Sequence, residues 1–296
     1  MSTVSLPASS SAPRRRRRRR RHVPWGVYAL LAIFSVLFLF PIYYLVVGSF
    51  ETPADTLNGL RAAAPSHLTF ANYHSLSQQF FSSTITGSLQ GFYTVSTLVS
   101  LIVVVGGMIV NSLAGYALAR MKFRGRKTLL LLIIVLVIIP FQAIAVPLYY
   151  MLSGLRNTVV VQALPFIGSA FSVYLFYTFF LNLPPQLEEA ARIDGAGPWR
   201  TFLQIILPNA KPAFASVAIL SFIQIWSSYL WPLMMTSQPN VYPLSIAIGN
   251  LLKQQSTPNY GEMFAFGVLL VVPMAAFFLV FQRWFIRSVA SLAVKG

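Results

Sequence analysis

Three of the chain's six acidic residues, Glu188, Glu189 and Asp194, fall in one stretch, Leu187 to Pro212, set in otherwise membrane-grade apolar sequence. No clustered His, Asp or Cys constellation occurs in the apolar spans, so neither a catalytic residue nor a metal site is assigned. The spacing suits a helix end outside the lipid instead. Pro184 and Pro185 can start a helix, because a proline's missing N–H would have had no partner in the first turn. Glu188 and Glu189 then complement the positive helix N-terminus, Arg192 can pair with Glu188 at i,i+4, and Gly195 offers a left-handed stop. Gly197 and Pro198 restart the chain, Trp199, Phe202, Leu203, Ile205 and Ile206 form an apolar stripe, and Pro208 ends the second element. The stretch predicts a short helix, a glycine elbow and a second amphipathic helix projecting from the membrane.

A second group of chemistry-bearing residues lies in the fifth apolar span: Gln224, Trp226, Ser227, Ser228, Tyr229 and Trp231. Aromatic faces beside hydrogen-bonding side chains suit sugar rings, whose C–H faces stack while their hydroxyls need partners. They suit an interfacial aromatic belt and interhelical hydrogen bonds equally well, and Pro232, closing the span, points Trp231 to the belt. Gln224, Trp226, Ser227 and Tyr229 are therefore candidates for a substrate path. Asn111 of the second span joins them, although an amide there also serves helix packing. No Asp, Glu, Lys or Arg falls within the core of any span, which argues against an ion-coupled secondary carrier, the alternative reading. No phosphate-binding G-x-x-x-x-G-K-[ST] loop is present. Gly125-Arg126-Lys127-Thr128 lacks both the preceding glycine and the Gly-Lys pair, so an ATPase must be another polypeptide.

The elements that must position these residues follow from composition. With 56% apolar and 9% charged residues in 296, the chain falls in the membrane class. Without cysteine it has no disulfide or thiolate site. Residues 1–24 are expected to be a disordered polybasic tail, and residues 25–296 a six-helix transmembrane domain. The spans are expected at about 25–48, 92–118, 128–150, 158–181, 212–234 and 262–284, each near the ~20 residues that cross a bilayer. A polar loop, 182–211, lies between the fourth and fifth. The runs are apolar on every face rather than alternating, so the fold class is an all-α polytopic membrane protein, not a barrel. Pro41, Pro140, Pro147, Pro165 and Pro273 predict bent helices. Of the external segments, 236–261 is long enough for a binding loop.

An even number of spans puts both termini on one side, together with the Arg14–Arg21 run, the cluster Arg120–Lys127 and the 182–211 loop. Of 22 Lys and Arg residues, this leaves Arg61, Arg156 and Lys253 opposite. The positive-inside rule makes the crowded side cytoplasmic. The arginine run reads as an orientation signal and an anionic-lipid contact. No aromatic interleaving or fold motif accompanies it, so nucleic acid is not an expected partner.

Glu189-Ala190-Ala191, Gly195 after three intervening residues, Ile205 after nine more and then Leu207-Pro208 resemble the EAA loop of permease subunits of bacterial ATP-binding-cassette importers. The form with Asp194-Gly195-Ala196 and Pro212 most resembles the maltose-type carbohydrate permeases. Asn111-Ser112-Leu113-Ala114, with Tyr116 to Arg120, and Leu68-Thr69-Phe70-Ala71-Asn72-Tyr73 are similar to further family segments. So is the closing Val294-Lys295-Gly296, whereas Ser227 stands where the family often has Asn. The resemblance implies a type I importer fold in a bacterial inner membrane, with Glu188, Glu189, Ala190, Ala191, Asp194, Gly195, Ala196 and Pro208 coupling to the ATPase. Lys295 and Gly296 would make a second ATPase contact. It implies a second homologous permease subunit, a dimeric ATP-binding subunit carrying ATP and Mg, and an extracytoplasmic solute-binding protein, with no cofactor in this chain. The expected cargo is a sugar or a polyol derivative such as glycerol phosphate. A reporter fused after Lys253 is expected outside the cell and one fused after Gly197 in the cytoplasm; the opposite pattern inverts this topology.

Overall fold

The computed structural model describes residues 24–52, 55–56, 67–81, 87–254 and 259–293. The Arg14–Arg21 run, Arg61, Lys295 and Gly296 lie outside them. The described residues hold helices and no strand. Packing divides the chain into residues 1–43 and 44–296. The described part of the first unit is a length of α1, Trp25–Gly48, exposing large apolar side chains such as Leu31, Val36 and Phe38.

In the second unit, α2 (Ala71–Phe81) precedes the long α3 (Leu89–Arg120). The third expected span is two helices, α4 (Arg126–Ile138) and α5 (Phe141–Met151), bent by 101° at Ile139 and Pro140. At 1.5 Å per residue α4 is about 20 Å long, too short to cross ~30 Å of hydrocarbon alone. The fourth is also a pair, α6 (Val159–Ile167) and α7 (Ala170–Leu181), bent by 40°. The polar loop contains α8 (Gln186–Ile193), α9 (Pro198–Thr201), a π-helical turn at Phe202–Ile206 and α10 (Leu207–Asn209). Then come α11 (Lys211–Trp226), α12 (Leu230–Met235), α13 (Leu244–Gln254) and α14 (Tyr260–Ala293). By length and composition three helices can cross a membrane alone, and up to six spans result if each bent pair counts as one. The fifth expected span is not one helix. It ends at Trp226, leaves Ser227 to Tyr229 outside regular helix, and resumes as α12.

A proline inside a helix cannot bond the carbonyl four residues earlier, and in an apolar medium that carbonyl needs another donor. Pro165 frees Val161, whose carbonyl accepts the Trp231 indole N–H at 2.8 Å. Pro273 frees Leu269, whose carbonyl accepts the Tyr93 hydroxyl at 2.6 Å, while the Trp226 indole N–H donates at 3.0 Å to the next carbonyl, Leu270. These contacts correct two expectations. Trp231 is fully buried, not in an interfacial belt, and Trp226 is buried against α14, not on a substrate path. Asn111, a substrate-path candidate whose amide equally suits helix packing, is used for packing here. Its Nδ2 donates to the Ile167 carbonyl at 2.9 Å and its Oδ1 accepts the Ser169 N–H at 3.0 Å, so both amide ends are used at the α6–α7 break.

The described parts of the segments that follow α1 and precede α14 are packed rather than open. Asn72 donates to the Ser49 and Glu51 carbonyls at 3.0 and 2.8 Å, closing the end of α1. The 236–261 segment is no free binding loop in its described first half. Leu244, Ile246 and Ala247 are buried, the Leu244 N–H donates to Ser96 Oγ at 2.8 Å, and Ser245 donates to the Ser228 carbonyl. Leu244 and Ala247 share one core with Leu76, Phe80, Phe92, Trp226 and Phe266. A second core, Tyr116, Phe176, Phe180, Phe202, Ile206 and Val217, carries the polar loop.

Candidate coupling loop and translocation wall

The acidic stretch folds as its spacing predicts at the helix end. Gly195 has φ +72°, a left-handed backbone. The Gly195 N–H donates to the Arg192 carbonyl at 3.1 Å and the Ala196 N–H to the Ala191 carbonyl at 2.9 Å, the two bonds of a Schellman stop. A Cβ at Gly195 would meet nothing within 4 Å, so backbone conformation alone selects glycine there. Gln186, Glu189, Ala190 and Ile193, spaced i, i+3, i+4, i+7, are exposed, while Ala191 is buried beneath them. Ile193 is 86% exposed, an apolar residue at the end of α8. Asp194 and Gly195 are exposed beside it, Ala196 is half-buried, and Pro208 is exposed in α10.

The partner of Glu188 is not Arg192. Its Oε1 lies 3.4 Å from Nε of Arg120, the last residue of α3. The proton on that Nε goes to the Phe180 carbonyl at 3.1 Å, so the contact with Glu188 is an ion pair without a hydrogen bond. Arg120 Nη2 also donates to the Phe180 and Leu183 carbonyls, both at 2.6 Å. One guanidinium thus closes the C-terminal end of α7, where helix carbonyls lack partners and the dipole favours a cation, and holds the first turn of α8. Close approach makes this possible. A Cβ at Gly115 would sit 2.6 Å from the Phe176 Cβ, so α3 and α7 pack backbone to side chain. Arg120, Lys122, Glu188 and Arg192 line a cavity of about 380 Å³ at this joint. Sequence reasoning counted Arg120 only among the orienting cations. The available signal was a single arginine ending an apolar span inside the segment from Asn111.

Of the substrate-path candidates, Gln224, Ser227 and Tyr229 are exposed. Gln224 lines a cavity of about 210 Å³ with Ser169, Ser221, Phe141 and Phe166, beside the break at Gly168. Ser227 bonds back to the Ile223 carbonyl at 2.7 Å, and Trp226 and Asn111 face elsewhere. The structure therefore brings Gln224 to a concave wall of mixed polar and apolar lining, keeps Ser227 exposed one turn away, and turns Trp226 and Asn111 into helix packing. No cluster of metal-ligating residues occurs among the described residues.

Residues 111–291 match the model of the family described as binding-protein-dependent transport system inner membrane component. The chain belongs to this family. The permease is 32% identical over 269 residues to the arabinooligosaccharides transport system permease protein AraQ of Halalkalibacterium halodurans, covering 90% of this chain and 94% of that one. It is also 32% identical to the diacetylchitobiose uptake system permease protein NgcG of Streptomyces coelicolor, covering 89% and 86%. Its fold matches a chain of a bacterial ABC transporter involved in the import of the acidic polysaccharide alginate, with TM-score 0.73 and 23% identity over 88% of this chain and 96% of that chain. The permease is thus a multi-pass membrane component of an ABC importer, and its resemblance in the EAA stretch was a correct guide to family.

Arg120→Gln leaves the Phe180 and Leu183 carbonyls and the Glu188 carboxylate without their cation. A loss of about 1.5 to 3 kcal/mol is expected, read as a lowered thermal midpoint of the purified permease. Arg120→Lys should recover little of it, because an ammonium lacks the planar fork that serves two carbonyls and a carboxylate. Glu188→Gln should cost less, since that carboxylate oxygen accepts no hydrogen bond.

Proposed function

We propose that this permease forms half of the translocation path for a sugar or polyol derivative and transmits ATP-driven motion through α8. The observation that carries this reading is the exposed i, i+3, i+4, i+7 face ending at Ile193, on a helix whose Glu188 is paired with the same Arg120 that joins α3 to the end of α7. An exposed apolar side chain flanked by Glu189 and Asp194 suits a cleft in another protein better than open water. That protein is a dimeric ATP-binding subunit, which holds ATP and Mg, so the chain itself performs no bond chemistry. Lys295 and Gly296 would add a second contact with it. A homologous permease subunit completes the path opposite Gln224 and Ser221. An extracytoplasmic solute-binding protein delivers cargo from the side bearing α2 and α13. Both termini and α8 are cytoplasmic in this reading, supported by the distribution of basic residues.

The mechanism is alternating access. Closure of the ATPase pair moves α8, and the Arg120 joint passes the displacement to α3 and α7 as a body, turning the wall around Gln224. The oligosaccharides in the relatives' names support a carbohydrate cargo here, and exposed Gln224 with Ser221 and Ser169 offers hydroxyl partners. Among the described residues no acidic or basic side chain sits mid-span, so the secondary-carrier reading has no carboxylate to use.

Ile193→Asp removes the apolar tip, and Gly195→Val forces a β-branched residue into left-handed backbone at about 1 to 2 kcal/mol. Both variants should reach the membrane and pair with the sister permease, since neither position is packed inside the fold. Both should lose co-purifying ATPase and labelled-sugar uptake. Full ATPase retention with normal uptake in both variants would remove the coupling role from α8.

A further inference from the structure

In the second unit, α3, α11 and α14 enclose a groove of about 330 Å³. Its walls include Met108, Phe214, Phe277, Phe281 and Trp284, and Lys211 brings a charge to this otherwise apolar lining. Phe277, Phe281 and Trp284 follow at i, i+4 and i+7, with ring centroids 4.8 and 5.9 Å apart, making a continuous aromatic strip along α14. At the Trp284 end the Arg283 guanidinium lies 3.9 Å from the indole ring. Arg283 is the twenty-fourth residue of α14, about 35 Å from Tyr260, so it sits at the polar boundary once Tyr260 occupies the other. Lys211, which opens α11, lines the same end.

These two cations have no carboxylate partner among the described residues. Nor does the sequence offer one nearby. Glu51, Asp55 and Glu262 belong to the opposite ends of the helices, Glu188 is paired with Arg120, and Glu189 and Asp194 lie on the exposed α8 loop. An apolar groove about two helical turns long, with a lysine and a tryptophan in its lining and Arg283 beside that tryptophan, complements one kind of molecule. We propose that it binds a phospholipid with an anionic headgroup, its acyl chain along Phe277, Phe281 and Phe214 and its phosphate between Lys211 and Arg283. Phe214 packs in a tilted arrangement against Phe176, ring centroids 4.7 Å apart, beside the core that carries the polar loop, so the bound chain would press on the support of the coupling loop. The site depends on the chain's being a membrane protein and not on which cargo it carries, and it is separate from the arginine-rich tail.

The test uses the assembled importer in nanodiscs containing a phosphatidylglycerol or a phosphatidylcholine analogue with a photoactivatable acyl chain, the labelled peptides being identified by mass spectrometry. Label is expected on α11 and α14, with a roughly thirtyfold preference for phosphatidylglycerol from two basic residues. The double variant Lys211→Gln, Arg283→Gln should lose the preference. Both side chains are exposed, and retained ATPase and sister permease would show that the variant is folded. A second variant with Arg14 to Arg21 neutralised should keep the labelling. Equal labelling by both lipids, label lost with the tail variant, or label found on the lone subunit but not the assembled importer would overturn the proposal, the last by giving the groove to the partner permease.

Discussion

A carbonyl that loses its helical N–H inside a bilayer has no water to turn to, and the packing of this permease is organised by how each such carbonyl is satisfied. The donors are side chains on other helices. Trp231 serves the carbonyl that Pro165 releases, Tyr93 serves the Leu269 carbonyl that Pro273 releases while Trp226 adds a bond to the neighbouring Leu270 carbonyl, and Asn111 bridges the α6–α7 break. Arg120 does the same for the end of α7 and Asn72 for the end of α1. Each bond joins two elements that apolar packing alone would leave free to slide, because lipid competes with side chains for apolar contact. The breaks are thereby fixed points of the fold.

Function follows from where those fixed points lie. The break at Gly168 borders the cavity lined by Gln224, and the one at the end of α7 borders the coupling loop. α7 runs between them and α3 packs along it, with Gly115 admitting Phe176 at the closest approach. A push on α8 therefore reaches the wall near Gln224 through two helices joined at both ends by side-chain-to-backbone bonds. The π-helical turn at Phe202–Ile206 adds a place where the loop can yield locally, as such turns often do near functional sites.

Much of this was legible in the residues. Glu188, Glu189 and Gly195 announced a short helix with a left-handed stop because capping and turn chemistry are local. The spans were legible because hydrocarbon thickness sets their length. What local reasoning could not find was which distant donor meets which freed carbonyl. The prolines showed that carbonyls would be released, yet Trp226 and Trp231 looked like ring-stacking or interfacial residues, since an indole suits all three roles until its N–H is placed. The pairing of Glu188 was missed because Arg192 is one turn away while Arg120 is 68 residues earlier, brought near only by the α3–α7 packing. The end of the fifth span at Trp226 was hidden by the apolar run that continues through α12.

The claim that freed carbonyls and their donors form coupled pairs is tested most directly by a double-mutant cycle on Trp231 and Pro165. Trp231→Phe removes the indole N–H with most of the ring kept, and Pro165→Ala restores an amide that can bond the Val161 carbonyl within the helix. Unfolding free energies of the purified permease in mixed micelles would be measured for the four combinations. The account predicts that Trp231→Phe costs about 0.6 to 1.7 kcal/mol more with Pro165 in place than in the Pro165→Ala background. The same loss in both backgrounds would contradict it.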